Sequence, residues 1–229
     1  MSTPRRILVS WSSGKDSAWT LHRLRNRPDA DVVGLLTCFN ETVDRVAMHA
    51  VPRALVEAQA VAAGLPLWSF GVPWPCSNEE YERRMEDVVA RACGEGITHI
   101  AFGDVFLEDV RDYRTHQLSG TGVDPIFPIW GSAEETSELA RSMISDGVGA
   151  VVTCVDLEPL SEERVGRQFD AKLLDELPAT VDPCGENGEF HTFCFSGPMF
   201  DSEIDVRVRG RLTRGGFCFA ELEANGPGS

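Results

Sequence analysis

The sequence predicts an α/β fold in two parts: a parallel sheet with helices over residues 1–128, and a smaller α+β domain over 129–229. Two observations point there. Apolar, β-rich runs alternate with stretches of helical spacing through the first half, the pattern of βαβ units. From Phe190 onward short β-rich runs follow one another without helices between them, as antiparallel strands do. Nothing resembling a free linker, a repeat or a low-complexity tract interrupts the chain. The seam between the parts is expected near residues 125–131, and only the Gly-Pro-Gly-Ser tail is expected to be disordered.

Each element has its own signal. Ile7-Leu8-Val9-Ser10 is an apolar run ending in a small-residue turn, and a helix follows from Asp16 with Ala18, Leu21 and Leu24 at helical spacing. Asn26-Arg27-Pro28 stops it. Val32–Phe39 is continuous and β-rich, as in a strand buried on both faces. Pro52 opens a helix through Ala54, Leu55, Ala58 and Val61 that ends at Gly64. Leu65–Phe70 is a third strand, and Ser77 with Glu80 forms a capping box for a helix reaching Ala92. Ile97–Phe102 is a fourth strand, followed by a polar helix over Leu107–Leu118. In the second half, Ile126–Trp130 leads into a helix over Glu134–Ser145, then Ala150–Val155 is a strand and Asp170–Leu177 a short helix. Phe190 onward, Ile204–Arg209 and Phe217–Leu222 are the antiparallel strands.

The first turn carries chemistry. A strand entering a helix through Ser12-Ser13-Gly14 leaves backbone N–H groups unpaired at the positive end of the helix dipole, which favours an anion by about 0.3–1 kcal/mol. Ser10, Ser12, Ser13 and Ser17 add hydroxyls and Lys15 a full charge, so the expected occupant is a phosphate chain. Neither a Walker A loop nor the Rossmann glycine fingerprint is present: Val9 stands where Walker A needs Gly, and Asp16 follows Lys15. In a parallel sheet the ligand sits beyond the carboxyl ends of the strands, so Thr37 after the second strand and Gly103-Asp104 after the fourth are expected to share this pocket. A second constellation lies at Asp182–Thr192, where Glu186, Glu189 and His191 fall within six residues of a glycine-rich turn. In a strand starting at Phe190, Glu189 and His191 share a face, and a carboxylate beside an imidazole raises its pKa, which suits proton transfer. Arg111 and Arg114, in the charged segment after the fourth strand, are candidate holders of a carboxylate or phosphate. Trp11, Trp19, His22 and His99 read as packing residues.

Bulk properties narrow the classes. The 229 residues are 42% hydrophobic and 25% charged, ordinary for a globular protein with a real core. A net charge of −15 argues against a nucleic-acid backbone as partner. Seven cysteines, with no C-x-x-C and no histidine at zinc-finger spacing, argue against a disulfide framework and structural zinc, and for a reducing compartment. No signal peptide or membrane-spanning apolar run is seen, so a cytoplasmic protein without membrane contact is expected. An assembly of identical copies is compatible with the sequence.

Together these stretches resemble a known family. Ser12, Gly14, Asp16 and Ser17 match the PP-loop, Ser-Gly-Gly-x-Asp-Ser, of N-type ATP pyrophosphatases, with Ser13 in place of the first glycine. Glu186, Gly188, Glu189, Phe190 and Thr192 match the C-terminal Glu-x-Gly-Glu-aromatic motif of the diphthine–ammonia ligases. Met48-His49, Glu57–Ala60 and Gly197–Phe200 extend the likeness over most of the chain. It departs at His191, where diphthamide-making members usually carry Glu, and at Phe102–Phe106, where they carry Gly-Ala-Ile-x-Ser. The resemblance implies a Rossmann-like domain of the adenine nucleotide α-hydrolase type with a C-terminal domain closing over it. It implies ATP and Mg²⁺ as cofactors, and an amide ligase that adenylates a small-molecule or protein carboxylate and amidates it with free ammonia, no glutaminase being evident. Ser12, Ser13, Gly14, Lys15 and Ser17 would then stabilise pyrophosphate, Asp16 would hold Mg²⁺, and Glu186, Glu189 and His191 would face the α-phosphate. Two rivals stay open at this point: an ATP-binding regulatory module without turnover, and a tRNA-modifying PP-loop enzyme.

Overall fold

The computed structural model describes residues 4–46 and 50–224, so Met48-His49 and the C-terminal tail lie outside the described residues. In chain order the elements are β1 (Arg5–Ser10), α1 (Lys15–Arg25), β2 (Ala30–Asn40), β3 (Arg45–Val46), α2 (Arg53–Ala62), β4 (Leu67–Val72), α3 (Asn78–Gly94), β5 (His99–Ala101), α4 (Glu108–Leu118), β6 (Asp124–Ile126), α5 (Thr136–Ser145), β7 (Gly149–Asp156), α6 (Ala171–Asp175), β8 (Phe190–Ser196), β9 (Val206–Arg214) and β10 (Phe217–Ala224).

The first sheet is parallel except for β3. Leu35 and Leu36 of β2 pair with β1 and with β4 at once, so those two strands flank β2. The parallel order is therefore β4-β2-β1-β5-β6, with β3 pairing antiparallel to the tip of β2 on the β1 side. This is the Rossmann-like arrangement, and strand order reverses between β1 and β5, the place where such sheets bind ligands. The second sheet is antiparallel, in the order β8-β7-β10-β9.

Alternation along β1 separates two cores. Ile7 and Val9 point to the side covered by α1 and α2, while Leu8 points to the side beneath α3. The first core also contains Leu21 and Leu24 of α1, Leu55 of α2, Phe193 of β8 and Cys218 of β10, so it runs unbroken from one sheet into the other. The second gathers Leu36, Trp68, Met85, Val89 and Ile100. Each leucine buried this completely contributes roughly 1.5–3 kcal/mol.

Several expectations shift in detail. In α2 the inward face is Leu55, Val56, Gln59, Ala60 and Ala62, while Val61 is 80% exposed; the helix sits one step round from the expected stripe. The third strand starts at Leu67, after Pro66. Ser77 does cap α3 by accepting from the Glu80 amide, but the Glu80 carboxylate turns to Arg83 and Arg84 and leaves the capping box half made. A fifth parallel strand, β6, uses an Asp-Pro-Ile segment that carries no β signal; Pro125 is tolerated because β6 is an edge strand. All seven cysteines are free. Among the described residues no helix is long and apolar enough to cross a membrane.

Candidate active site

A cleft of about 230 Å³ opens at the carboxyl ends of β1 and β5. Ser10, Ser12, Gly14, Lys15, Asp16 and Ser17 form one wall, and Phe102, Gly103 and Asp104 another. Arg114 of α4 and the segment from Cys184 to Thr192 complete it. Gly103 is required by close approach: a Cβ there would lie 3.1 Å from backbone atoms of Asp16 and Ser17, in the first turn of α1.

The loop between β1 and α1 is tied from within. Ser12 donates to the Ser17 hydroxyl at 3.3 Å, and Ser17 donates to the Gly14 carbonyl at 3.0 Å. Ser13 takes the left-handed backbone, at φ 71, the conformation for which glycine is the usual choice. Its carbonyl accepts from the Cys194 amide at 2.9 Å and from Gln59 Nε2 at 3.0 Å. The N-cap Gly14 has no side chain to cap α1; instead Thr192 Oγ1, from the second sheet, accepts from the Lys15 amide at 3.1 Å. One of the leading amides of α1 is thereby taken by protein.

Lys15 is 2% exposed. Its Nζ donates to both oxygens of Asp16, at 3.0 and 2.9 Å, and to the Cys184 carbonyl. The rings of Phe169 and Phe190 lie 5.2 and 5.3 Å away. Burial works against the charge, but Asp16 and the other acids around it outweigh burial and hold Lys15 above its ordinary pKa.

In the segment 182–192 three acids do different work. Asp182 accepts from the amides of Cys184 and Glu186, at 3.0 and 2.9 Å. Glu189 accepts from the amides of Asp182 and Asn187 and from Asn187 Nδ2, at 2.9, 3.0 and 3.0 Å. Both carboxylates are spent shaping the turn, and Gly185 is needed in it because a Cβ would meet the Phe190 carbonyl at 2.6 Å. Glu186 is the one projected into the cleft, where its Oε1 accepts from the Val105 amide at 2.7 Å. Burial, with Asp16 and Asp104 nearby, pushes its carboxyl up to about 7 despite that hydrogen bond. Burial also raises Asp104, whose partner is Arg114 with Nε 3.8 Å from Oδ2. His191 lines the cleft, and burial with the Lys15 charge pulls it down to about 4.

The structure thus brings Ser10, Ser12, Gly14, Lys15, Asp16, Ser17, Gly103, Asp104, Glu186 and His191 to one cleft. It keeps four other expected residues off the wall. Ser13 is fully buried against Gln59 and Cys194. Thr37 lies inside β2, which runs on to Asn40, and its hydroxyl donates to the Trp11 carbonyl at 2.9 Å. Glu189 precedes β8 and turns inward to the loop amides, so it does not share a face with His191, and strand alternation does not apply to it. The imidazole is also shifted down, opposite to the rise expected from a neighbouring carboxylate. Arg111 stays outside, stacked on Trp130 at 4.7 Å. Gln59 was unforeseen as a support: it accepts from Trp11 Nε1 at 2.8 Å and donates to Ser13 and Cys194 carbonyls. A polar residue on the apolar face of α2 was its signal.

For a hard cation the donors fit. Asp16 remains a quarter exposed on the cleft wall, and its charge adds to the affinity of Asp104 and Glu186 for positive charge. Among the described residues no cluster of three or more His, Cys, Asp or Glu could hold a metal alone. Mg²⁺ asks less of the protein, one or two carboxylates together with phosphates.

Comparison with known proteins identifies the family. The diphthamide synthase N-terminal domain model matches residues 5–124 and the diphthamide synthase C-terminal domain model matches residues 135–223. The diphthine–ammonia ligase of Bos taurus is 25% identical, over 95% of this chain and 88% of its own length. That of Homo sapiens is 26% identical, over 88% and 82%. With both domain models matched in sequence order across most of its length, the chain belongs to the diphthine–ammonia ligase family.

Proposed function

We propose that the chain is an ATP-dependent amide ligase that adenylates a substrate carboxylate and amidates it with ammonia. The observation that supports this most is the seating of β8 on the β1–α1 loop, through Thr192 to the Lys15 amide and Cys194 to Ser13. It brings Glu186 and His191 to the same cleft as the β1–α1 turn.

A carboxylate oxygen of the acceptor attacks the α-phosphorus of ATP, the bond to the bridging oxygen breaks, and pyrophosphate leaves. Ammonia then attacks the acyl carbon, AMP departs with the bonding electrons, and the new nitrogen loses a proton. The hydroxyls of Ser12 and Ser17 and the backbone at Gly14 steady the phosphates. Lys15, kept charged, adds positive potential from beneath. Asp16 would hold Mg²⁺, which neutralises phosphate charge when bound. Glu186, near its midpoint at neutral pH, takes the proton from nitrogen. Neutral His191 orients the acceptor by hydrogen bonding. Glu189 acts on the loop that carries Glu186.

The test uses ATP labelled on the α-phosphate with a panel of carboxylic acids, with and without ammonium. AMP and pyrophosphate should appear and rise with both acid and ammonium. Production of ADP, or tight ATP binding with no cleavage under any condition, overturns the reading.

A further inference from the structure

We propose that Arg114 is the acceptor-specificity residue of this cleft, selecting small acids that carry a second carboxylate beside the one that reacts. The inference rests on the ligase reading above and deepens it. Apart from His191, two side chains on the cleft wall are basic, Lys15 and Arg114. Lys15 is committed to both oxygens of Asp16 and to the Cys184 carbonyl. Arg114 is not: its Nε is buried without a hydrogen-bond partner, and so is the Asp104 oxygen 3.8 Å away. Two half-buried, oppositely charged side chains stop short of hydrogen-bonding distance, so the guanidinium holds donors in reserve.

Beside that long ion pair, aromatic rings hold it in position. The guanidinium carbon sits 5.0 Å from the centre of Phe102 and 5.8 Å from that of Tyr113. A planar fork held in place suits a carboxylate, which it grips through two parallel bonds. A triphosphate tail is the poorer occupant, because the β1–α1 loop offers it hydroxyls and amides elsewhere on the cleft wall. The reacting carboxylate is also a poor occupant: a bidentate guanidinium bridge draws charge from both oxygens and weakens them as nucleophiles. The group that Arg114 holds is therefore a handle, and a different carboxylate is left to react. The acid shares this cleft, of about 230 Å³, with the phosphate chain, which favours a compact one.

The probes are succinate, glutarate and adipate, each compared with the monocarboxylic acid of equal length, at saturating ATP and ammonium chloride. AMP formation should show a KM for the best diacid about tenfold or more below that of its monoacid. Arg114→Ala should raise the diacid KM by about tenfold or more while the ATP and monoacid KM values stay within about twofold. Arg114→Lys, which keeps the charge and loses the fork, should fall between. Calorimetric titration of glutarate into protein loaded with a non-hydrolysable ATP analogue reads binding without turnover, and the Ala variant should lose it. Equal use of mono- and diacids, a matching rise in the ATP KM, or diacid binding that ignores Arg114 each overturns the inference. AMP from monoacids alone sinks the role of Arg114 and leaves the ligase reading standing. Arg114-dependent diacid binding with no AMP from any acid supports the handle and counts against the ligase reading.

Discussion

Glu186 and His191 sit on one cleft wall with ionisation behaviour opposite to that of the free side chains. An ordinary glutamate is charged at neutral pH, but burial beside Asp16 and Asp104 brings Glu186 to about 7. An ordinary histidine is partly charged there, but burial and Lys15 take His191 to about 4 and leave it neutral. The pH dependence follows from that difference. Acceptor-dependent kcat should rise with pH along a limb centred near 7, as Glu186 loses its proton. Glu186→Gln should remove the limb and lower kcat by about 10²–10⁴-fold, while His191→Gln should keep the limb in place. A limb that moves with His191 instead would reverse the assignment. The same shift reaches stability. A carboxyl whose folded pKa lies above its ordinary 4.5 binds more protons folded than unfolded, so stability falls as pH rises from about 4.5 to about 7 and is level beyond. Glutamine can still accept from the Val105 amide and escapes this cost. Glu186→Gln should therefore stabilise at pH 8 by roughly 1–2 kcal/mol, discounted for partial exposure, and not at pH 4; thermal melts at the two pH values check it.

At the scale of elements, the β1–α1 turn shows where sequence is informative and where it is not. The apolar run, the serines and the helical spacing of Ala18, Leu21 and Leu24 were enough to place β1, the turn and α1, because these signals are local. The left-handed backbone at Ser13 was not readable, since serine carries no mark of φ, although the family pattern has glycine there. Ser13→Gly should be stabilising. Left-handed strain costs an ordinary residue about 1–2 kcal/mol, and the extra freedom glycine brings to the unfolded chain costs about 0.4–1 kcal/mol. The buried Ser13 hydroxyl has no hydrogen-bond partner to lose. A net gain of about 1 kcal/mol corresponds to a melting temperature about 2–4 °C higher. A fall in melting temperature would show that this hydroxyl has a hydrogen bond of consequence. The short elements were hidden for a related reason. β3 and β6 are two and three residues long, too short for a periodicity, and are defined by the neighbours they pair with.

At the scale of the molecule, partnership between distant segments decides what each residue does, and this was the least legible level. The Glu186–His191 stretch was recognisable as chemistry, yet only tertiary contacts separate Glu186 in the cleft from Glu189 beneath the turn. Arg114 and Arg111 sit on one helix one turn apart, and the cleft admits one of them. Gln59 is where these long-range links converge: the β1–α1 loop bonds to it through Trp11 and Ser13, and β8 through Cys194. It is fully buried against the apolar core that both sheets share, so the two sheets are expected to unfold together. Unfolding by urea should accordingly be a single transition, with far-UV and near-UV signals coinciding. Gln59→Leu keeps the volume but strands one indole donor and removes a bond from two buried carbonyls, at about 1–3 kcal/mol for each group left unsatisfied. A loss of about 3–5 kcal/mol is expected, still in one transition, together with weaker nucleotide binding because the Ser13 carbonyl and β8 lose their common anchor. If the variant instead unfolded in two resolved steps, the sheets would be separable, and Gln59 would be a hinge rather than a rivet.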